Sequence, residues 1–442
     1  MSNQTWLEYL ERQAAASSQP LSSSSSSSSG SAAPTPDAQA ASERLTTLMS
    51  RPKRMHSSYI ELLLPFSSSS SLLEEYIATS GKIRLGKVFE ALDSLAGDIS
   101  YKHVLGGRPS SGDEAVPIFL VTAAVDRLDL VGTEHLRVDR DYRLSGLPIY
   151  VGSSSMEVLV VIDELPAHDA APGTAAKTVM SGRFTMVAMN GVTKRSQRIP
   201  PLEVVEDDER QLFEFGRSHK DRKRSEVETS LQRVPPSQGE AGELHGRWLE
   251  DQRVLEEQVK GSGAFTGRDV KQDVEVVPAG KTRLTSTQHI HPQSANIHKR
   301  LFGGFIMRQA YELAWMVGAT FAHAPVNFLA LDALSFHSPV PIGAILCMTS
   351  QIDYTTTTTT LAAGQEERTV AAISVLVETI DVETGERKKT NTFDFSFDLG
   401  AGERKRRVSP QTYQEAMRWI EGKRRVQLGL ELRGLYGKGE GA

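Results

Sequence analysis

The sequence predicts an α+β protein assembled from two copies of one unit, each a long helix followed by several antiparallel strands. Three observations lead there. First, Ile83-Arg-Leu-Gly-Lys-Val-Phe-Glu-Ala-Leu-Asp-Ser-Leu-Ala96 aligns beneath Leu301-Phe-Gly-Gly-Phe-Ile-Met-Arg-Gln-Ala-Tyr-Glu-Leu-Ala314, setting Gly86 under Gly304, Leu95 under Leu313 and Ala96 under Ala314 at an offset of 218 residues (304 − 86). Second, both segments space their apolar residues at the helical period. Third, each is followed by runs rich in Val, Ile, Thr or Phe and bounded by Gly, Pro, Asp or Ser, the pattern of strands and turns. A helix and a sheet that each have one apolar face bury them against one another, and a fixed repeat means the unit is duplicated.

The elements follow in chain order. Residues 13–54 are rich in Ala, Ser and Pro, with an unbroken run from Ser22 to Ser29. Such a segment buries too little apolar surface to order itself, so residues 1–54 read as a disordered tail. A short helix over Met1–Arg12 would set Trp6, Leu7 and Leu10 on one face. Residues 55–205 form the first unit, with a helix over 82–99 carrying Val88, Leu92 and Leu95 and strands over 118–129, 142–150, 156–164 and 177–189. Residues 206–280 change character. Lys220-Asp-Arg-Lys-Arg224 is a charge run and Pro235-Pro236 a break, so this stretch reads as a charged linker with local helix over 244–259. Residues 281–400 repeat the first pattern. A helix over 304–323 carries Ile306, Ala310, Leu313, Val317 and Phe321, and strands follow over 328–336, 344–354, 370–381 and 390–398. Asp381-Val-Glu-Thr-Gly385 is a hairpin turn between the last two. Residues 401–442 form a polar extension with a short helix over 410–422.

Composition narrows the function classes. With 442 residues and 39% hydrophobic content the chain can hold two or three domains with real cores. A net charge of −5 gives no global attraction to nucleic acid or an anionic membrane. No run of about 18 apolar residues exists, so no transmembrane helix is expected. The single cysteine, Cys347, cannot form an internal disulfide and suits a reducing compartment. Glu8 and Glu11, with few basic residues before Arg44, do not resemble a standard transit peptide. His289, His291 and His298 stand at no zinc-type spacing with cysteine or acid, so no metal is expected. The basic runs at Lys220–Arg224 and Arg404–Arg407 read as solvated faces, and Thr355–Thr360 as an exposed loop or strand end. Walker loop, nucleophile elbow and dinucleotide fingerprint are all absent from the sequence.

The chemistry concentrates at Asn296-Ile-His-Lys-Arg-Leu-Phe-Gly-Gly-Phe-Ile-Met-Arg-Gln-Ala-Tyr-Glu-Leu-Ala-Trp315. Gly303 and Gly304 stand where a helix begins, leaving backbone N–H groups with no Cβ to cover them. With the helix dipole behind them, these donors can polarise a carbonyl or hold an anion. The run resembles the hotdog-fold acyl-CoA thioesterases, especially the mitochondrial double-hotdog type. Tyr59–Pro65, Leu92–Leu95, Val121–Asp129 and Gly152–Val158 are similar as well, so the resemblance spans about residues 55–420. It implies a tandem double hotdog, in which each long central helix is wrapped by an antiparallel sheet. It also implies hydrolysis of acyl-CoA to fatty acid and CoA, no cofactor beyond the CoA of the substrate, a mitochondrial location and assembly as a trimer of double hotdogs.

The resemblance also implies a reactive pair: an Asn eight residues before the second Gly and an acid seven residues after it. In the second half Asn296 fits and Tyr311 does not; in the first half Asp93 fits and Ala78 does not. If the site lies between paired units, Asp93 and Asn296 make one complete site while Ala78 and Tyr311 mark a dead one. Asp93 would act as general base or as nucleophile, Asn296 would orient water, and the N–H of Gly304, with Gly303, would hold the oxyanion. Glu312 competes as the acid, although one residue along a helix turns it about 100° from Tyr311. Two rival readings stand beside this one. The chain could be a non-catalytic acyl-CoA-binding scaffold with decayed sites, or a dehydratase of the same fold, whose catalytic His would be expected where Phe302 stands.

Overall fold

The structure, a computed structural model, describes residues 49–106, 118–131, 135–167, 170–171, 173–191, 193, 195–261, 274–294, 301–359, 367–400 and 405–439. The expected helix over 1–12, the serine-rich tail up to residue 48, Asn296, His298 and the side chains of Lys220–Arg224 lie outside the described residues.

Strands β1 (Lys53–Arg54) and β2 (Ile60–Leu64) and helices α1 (Ser70–Tyr76) and α2 (Leu85–Leu105) lead into β3 (Ile118–Leu130), β4 (Tyr142–Val151), β5 (Ser155–Glu164) and β6 (Lys177–Asn190). Then come β7 (Leu202–Glu203), α3 (Asp207–Glu228), α4 (Gln238–Gly261), β8 (Val274–Pro278) and β9 (Leu284–His289). The second half continues with α5 (Gly303–Ala322), β10 (Asn327–Phe336), β11 (Ile345–Thr359), β12 (Glu367–Ile380), β13 (Arg387–Asp398), β14 (Lys405–Ser409) and α6 (Tyr413–Gly439). Lys53–Arg54, inside the stretch expected to be disordered, pairs in parallel with Leu202–Glu203, and Met49 and Met55 are buried beside it.

Apolar spacing makes the two central helices. On α2, Val88, Phe89, Leu92, Leu95, Ala96 and Ile99 form one buried stripe. The helix stops at Gly106, whose φ of 82° lets its N–H reach the Lys102 carbonyl. On α5, Ile306, Ala310, Leu313, Val317 and Phe321 do the same. The strands alternate as a half-buried sheet requires: Met156, Val158, Val160 and Ile162 of β5 all face the core. At the β12–β13 turn Asp381 Oδ1 accepts from the N–H groups of Glu383 and Thr384, and Gly385 has φ 71°.

Ten strands form one antiparallel sheet in the order β2-β4-β5-β6-β3-β10-β13-β12-β11-β9. Five come from each half. The seam is β3 against β10, with Leu128 opposite Leu331 and Val125 opposite Leu334. Helix α2 packs on the first five strands, α5 on the last set, and the two helices touch each other. Helix α6 covers the other face of the second half, burying Trp419, Ile420 and Val426 against Tyr354, Val370 and Ala372. It is much longer than the helix expected over 410–422 because this apolar stripe has a sheet face to cover.

Two further readings change. The threonine run is a strand end, closing β11 at Thr359, but Thr355 is buried and its Oγ1 accepts the Val408 N–H at 3.0 Å, so this part of the run is not exposed. Arg406 pairs with Glu275 at 2.9 Å and Arg407 with Asp251 at 2.5 Å, so that part of the basic run is neutralised inside the fold, not solvated.

Charge locks the seam. Arg127 on β3 donates to Asp332 on β10 at 2.7 Å and to Asp129 at 2.6 Å, while Ser396 donates to the second Asp332 oxygen at 2.6 Å. Arg127 adopts φ 32° at the bulge that aims it across the seam. Removing one partner of such a buried pair leaves a charge with too little compensation. Asp332→Ala is therefore expected to lower unfolding stability by about 3 kcal/mol in a denaturant titration; a change below about 1 kcal/mol would mean that the seam is held by strand pairing alone.

Candidate active site

The site begins where the seam opens. Pairing of β3 with β10 ends at Ala124 opposite Ser335. Beyond it β10 continues along β13, where the His337 N–H donates to the Thr390 carbonyl. Among the described residues the start of β3 pairs only with β6, and the Leu120 N–H finds the Tyr101 hydroxyl at 3.3 Å. The gap is a cavity of about 510 Å³ whose wall includes Asp93, Gly97, Tyr101, Thr122, Gly303 and His337.

Helices α2 and α5 overlap antiparallel along their first halves. A Cβ on Gly86 would stand 2.9 Å from Arg308 Cγ, and one on Gly304 would stand 3.0 Å from Glu90 Cα. Neither leaves room for a side chain, so both glycines are needed for the approach. It delivers the start of α5 to Asp93: a Cβ on Gly303 would lie 2.9 Å from Asp93 Oδ2. Phe302, the N-cap of α5, makes no side-chain cap, and the Gly304 N–H in the first turn donates instead to the Asp93 carboxylate.

Asp93 is 4% exposed. Its Oδ1 accepts from Thr122 Oγ1 at 2.7 Å. Burial pushes its carboxyl up to about 6, against the opposing pull of the Thr122 hydroxyl and the Gly304 N–H, with Glu90 adding a smaller upward push. Desolvation outweighs two hydrogen bonds here, which leaves a carboxylate poised to exchange a proton near neutral pH.

Of the residues singled out from sequence, Asp93, Gly303 and Gly304 come together at one place. Glu312 lies elsewhere: it is held by Arg84, with Nη2 at 2.6 Å, beside Gly86 at the start of α2. Ala78 sits half-buried in a turn, its N–H on the Lys82 carbonyl. Tyr311, the repeat counterpart of Asp93, packs among Phe89 at 5.3 Å, Phe328 at 5.8 Å and Phe397 at 6.0 Å between ring centroids. Aromatic rings thus fill the twin position. Sequence reasoning missed Thr122 and the wall strip Phe336–Val340. Thr122 lay inside a stretch noted only for its similarity, and the strip is a loop whose role depends on where the seam parts.

A buried carboxylate in an apolar cavity, set against the backbone donors of a helix start, is equipped to activate water against a polarised carbonyl. Comparison with known proteins fits this. No protein-family model matches the chain. Acyl-coenzyme A thioesterase 9, mitochondrial, of Homo sapiens is 31% identical over 375 residues, 84% of this chain and 78% of that protein. Acyl-coenzyme A thioesterase 2, chloroplastic, of Humulus lupulus is 30% identical over 400 residues, 88% and 83% respectively. Among solved structures, an acyl-CoA hydrolase from Staphylococcus aureus is similar at 19% identity and a TM-score of 0.32, over 38% of this chain and 96% of that one. The chain belongs to the acyl-coenzyme A thioesterase family.

The raised Asp93 carboxyl has a stability consequence. The folded protein binds its proton more tightly than the unfolded chain, so stability falls as pH rises from about 4 to about 6 and stays reduced above that range. Asp93→Asn removes the ionisable group and keeps the shape. It should be more stable than wild type at pH 7.5, by on the order of 2 kcal/mol, with the difference vanishing near pH 4. Thermal melts at the two pH values read this directly; equal melting at pH 7.5 would deny that burial strains the carboxylate.

Proposed function

We propose that this chain is a tandem double hotdog that hydrolyses acyl-CoA to free acid and CoA at one composite site, with the acid from the first half and the asparagine from the second. The observation that carries this reading is the buried Asp93 carboxylate lying against the start of α5 inside an apolar cavity. Asn296, outside the described residues, stands seven residues before Gly303 in the sequence.

The thioester carbonyl lies at the start of α5, where the Gly304 N–H, exchanging Asp93 for the substrate oxygen, draws charge onto it together with the Gly303 N–H. Asn296 orients a water molecule. Asp93 takes one of its protons as the water oxygen attacks the carbonyl carbon. The tetrahedral oxyanion is held by the helix-start donors; losing one such donor typically costs about 10²–10³ in rate. Collapse breaks the carbon–sulfur bond, and the proton on Asp93 passes to the departing CoA thiolate. Fatty acid and CoA leave. Thr122 positions Asp93 through the 2.7 Å hydrogen bond. In the twin position Tyr311 offers no base, and Glu312 is committed to Arg84.

The relatives' names favour a mitochondrial location for this chain as well, and a trimer of double hotdogs is the proposed assembly. No helix among the described residues is long and apolar enough to cross a membrane.

Thiol release from acyl-CoA tests the assignment. Asp93→Ala and Asn296→Ala should each lose about 10²-fold or more in kcat, while Glu312→Ala stays within a few-fold of wild type. Undiminished turnover in Asp93→Ala would overturn it. An Asp93→Ala protein that binds acyl-CoA but no longer turns it over separates the hydrolase from a mere binding scaffold. A second readout is pH. Because the base must be deprotonated and sits at about 6, kcat/KM should fall about tenfold per unit as pH drops below that value and level off above it; a profile flat down to pH 4.5 would exclude Asp93 as the base.

A further inference from the structure

The cavity wall contains Asp93, Gly97 and Tyr101, residues at i, i+4 and i+8 of α2. They form one stripe along the helix, about 12 Å from first to last at 1.5 Å per residue. At one end stand the polar groups, Asp93 and Thr122. Beyond them the wall is apolar, with Phe119, Met186 and Met189 among its residues. At the other end the Tyr101 ring is fixed, its hydroxyl taking the Leu120 N–H at 3.3 Å.

Gly97 is the anomaly on this stripe. Of the five glycines on α2 and α5, Gly86, Gly303, Gly304 and Gly318 would each drive a Cβ to within 3.4 Å of a neighbouring atom; a Cβ on Gly97 would meet nothing within 4 Å among the described residues. Its backbone is ordinary helix, so no left-handed conformation demands glycine. Packing does not demand it either, and a glycine in a helix interior is a destabilising choice compared with alanine. What its missing side chain does provide is empty space in the cavity, one helical turn beyond the carboxylate.

We propose that Gly97 is a specificity-determining position, a notch that lets an aliphatic acyl tail run along α2 from Asp93 to a stop at the Tyr101 ring. This rests on the thioesterase reading and deepens it: the substrate carries an extended hydrocarbon tail of medium length, not an acetyl group. The carbonyl sits at the α5 start, the first methylenes pass Thr122, and the chain crosses the notch. A larger residue at 97 shortens the cavity at mid-length, and a smaller one at 101 lengthens it.

The test compares kcat/KM for acetyl-, hexanoyl-, decanoyl- and palmitoyl-CoA in wild type, Gly97→Ala, Gly97→Leu and Tyr101→Ala. Wild type should favour decanoyl-CoA over acetyl-CoA. Gly97→Leu should lose tenfold or more on decanoyl-CoA, since a displaced methylene or two in an apolar pocket is worth about 10–200-fold, while acetyl-CoA turnover stays within about twofold. Gly97→Ala should give a smaller shift in the same direction and should melt no lower than wild type. Tyr101→Ala should move the preference toward palmitoyl-CoA. Equal losses on all chain lengths in Gly97→Leu, or none on decanoyl-CoA, would overturn the proposal. Binding of the non-hydrolysable thioether S-decyl-CoA, measured by calorimetry in the same variants, should weaken tenfold or more in Gly97→Leu. That measurement stands even if wild type hydrolyses nothing, an outcome that would reject the thioesterase reading and leave the notch to be judged on binding; unchanged thioether affinity in Gly97→Leu would reject the notch.

Discussion

Everything else in this molecule depends on how closely two helices approach. Gly86 and Gly304 let α2 and α5 pack where side chains would collide. Glu90 and Arg308, themselves 218 positions apart like the glycines, meet across the contact at 2.9 Å. An ion pair between repeat-equivalent residues is what a pseudo-twofold axis produces, since each half offers that axis the same position. The same approach sets the start of each helix against the middle of the other. A carboxylate seven residues into one helix therefore faces the backbone donors of its partner. Helix packing alone brings Asp93 to the start of α5.

The two halves then diverge at equivalent points. One position holds Asp93, a threonine partner and an open cavity. The other holds Tyr311 in a nest of phenylalanines, and a neighbouring glutamate tied to Arg84. The contrast has an energetic logic. A buried carboxylate lifted to about 6 destabilises the fold at neutral pH. Packed aromatic rings stabilise it, with pairs worth about 0.5–1.5 kcal/mol beyond their burial. If, as proposed, only the Asp93 position reacts, filling the Tyr311 position with rings gains stability at no cost in activity. The seam between the halves is held independently, by Arg127 and Asp332, so the filled position and the open one sit on one rigid sheet.

Much of this was legible in the sequence. Central helices and core strands carry strong apolar periods, and their expected starts fall within three residues of those observed, as at Tyr142–Val151 and Asn327–Phe336, although α2 runs to Leu105 and β11 to Thr359, past the ends expected at 99 and 354. The glycine pair was readable as a helix start, and the family resemblance, carried through the repeat, pointed to Asp93. Legibility failed where local pattern is weak. Edge strand β9 is Leu284-Thr-Ser-Thr-Gln-His289, half-buried and polar, and it owes its strand form to pairing with β11. Helix α3 opens with Asp207, Asp208 and Glu209, a readable start signal since acids favour that end of the helix dipole; Glu209 accepts the Val205 and Glu206 N–H groups there. Arg406 and Arg407 looked like a solvated run because sequence cannot reveal that Glu275 and Asp251 meet them. Thr122, the cavity and the ring-filled twin depend on contacts between distant segments, which no local spacing encodes.

The central claim is that two half-emptied pockets yield one working site per chain. Its most direct test is the stoichiometry of a non-hydrolysable acyl-CoA thioether, counted by isothermal titration calorimetry on the full-length protein at known active concentration. The account predicts one thioether bound per chain, abolished as a high-affinity event by blocking the cavity around Asp93. Two equivalent thioethers per chain would contradict it, because the second could only occupy the position that Tyr311 and its phenylalanines fill.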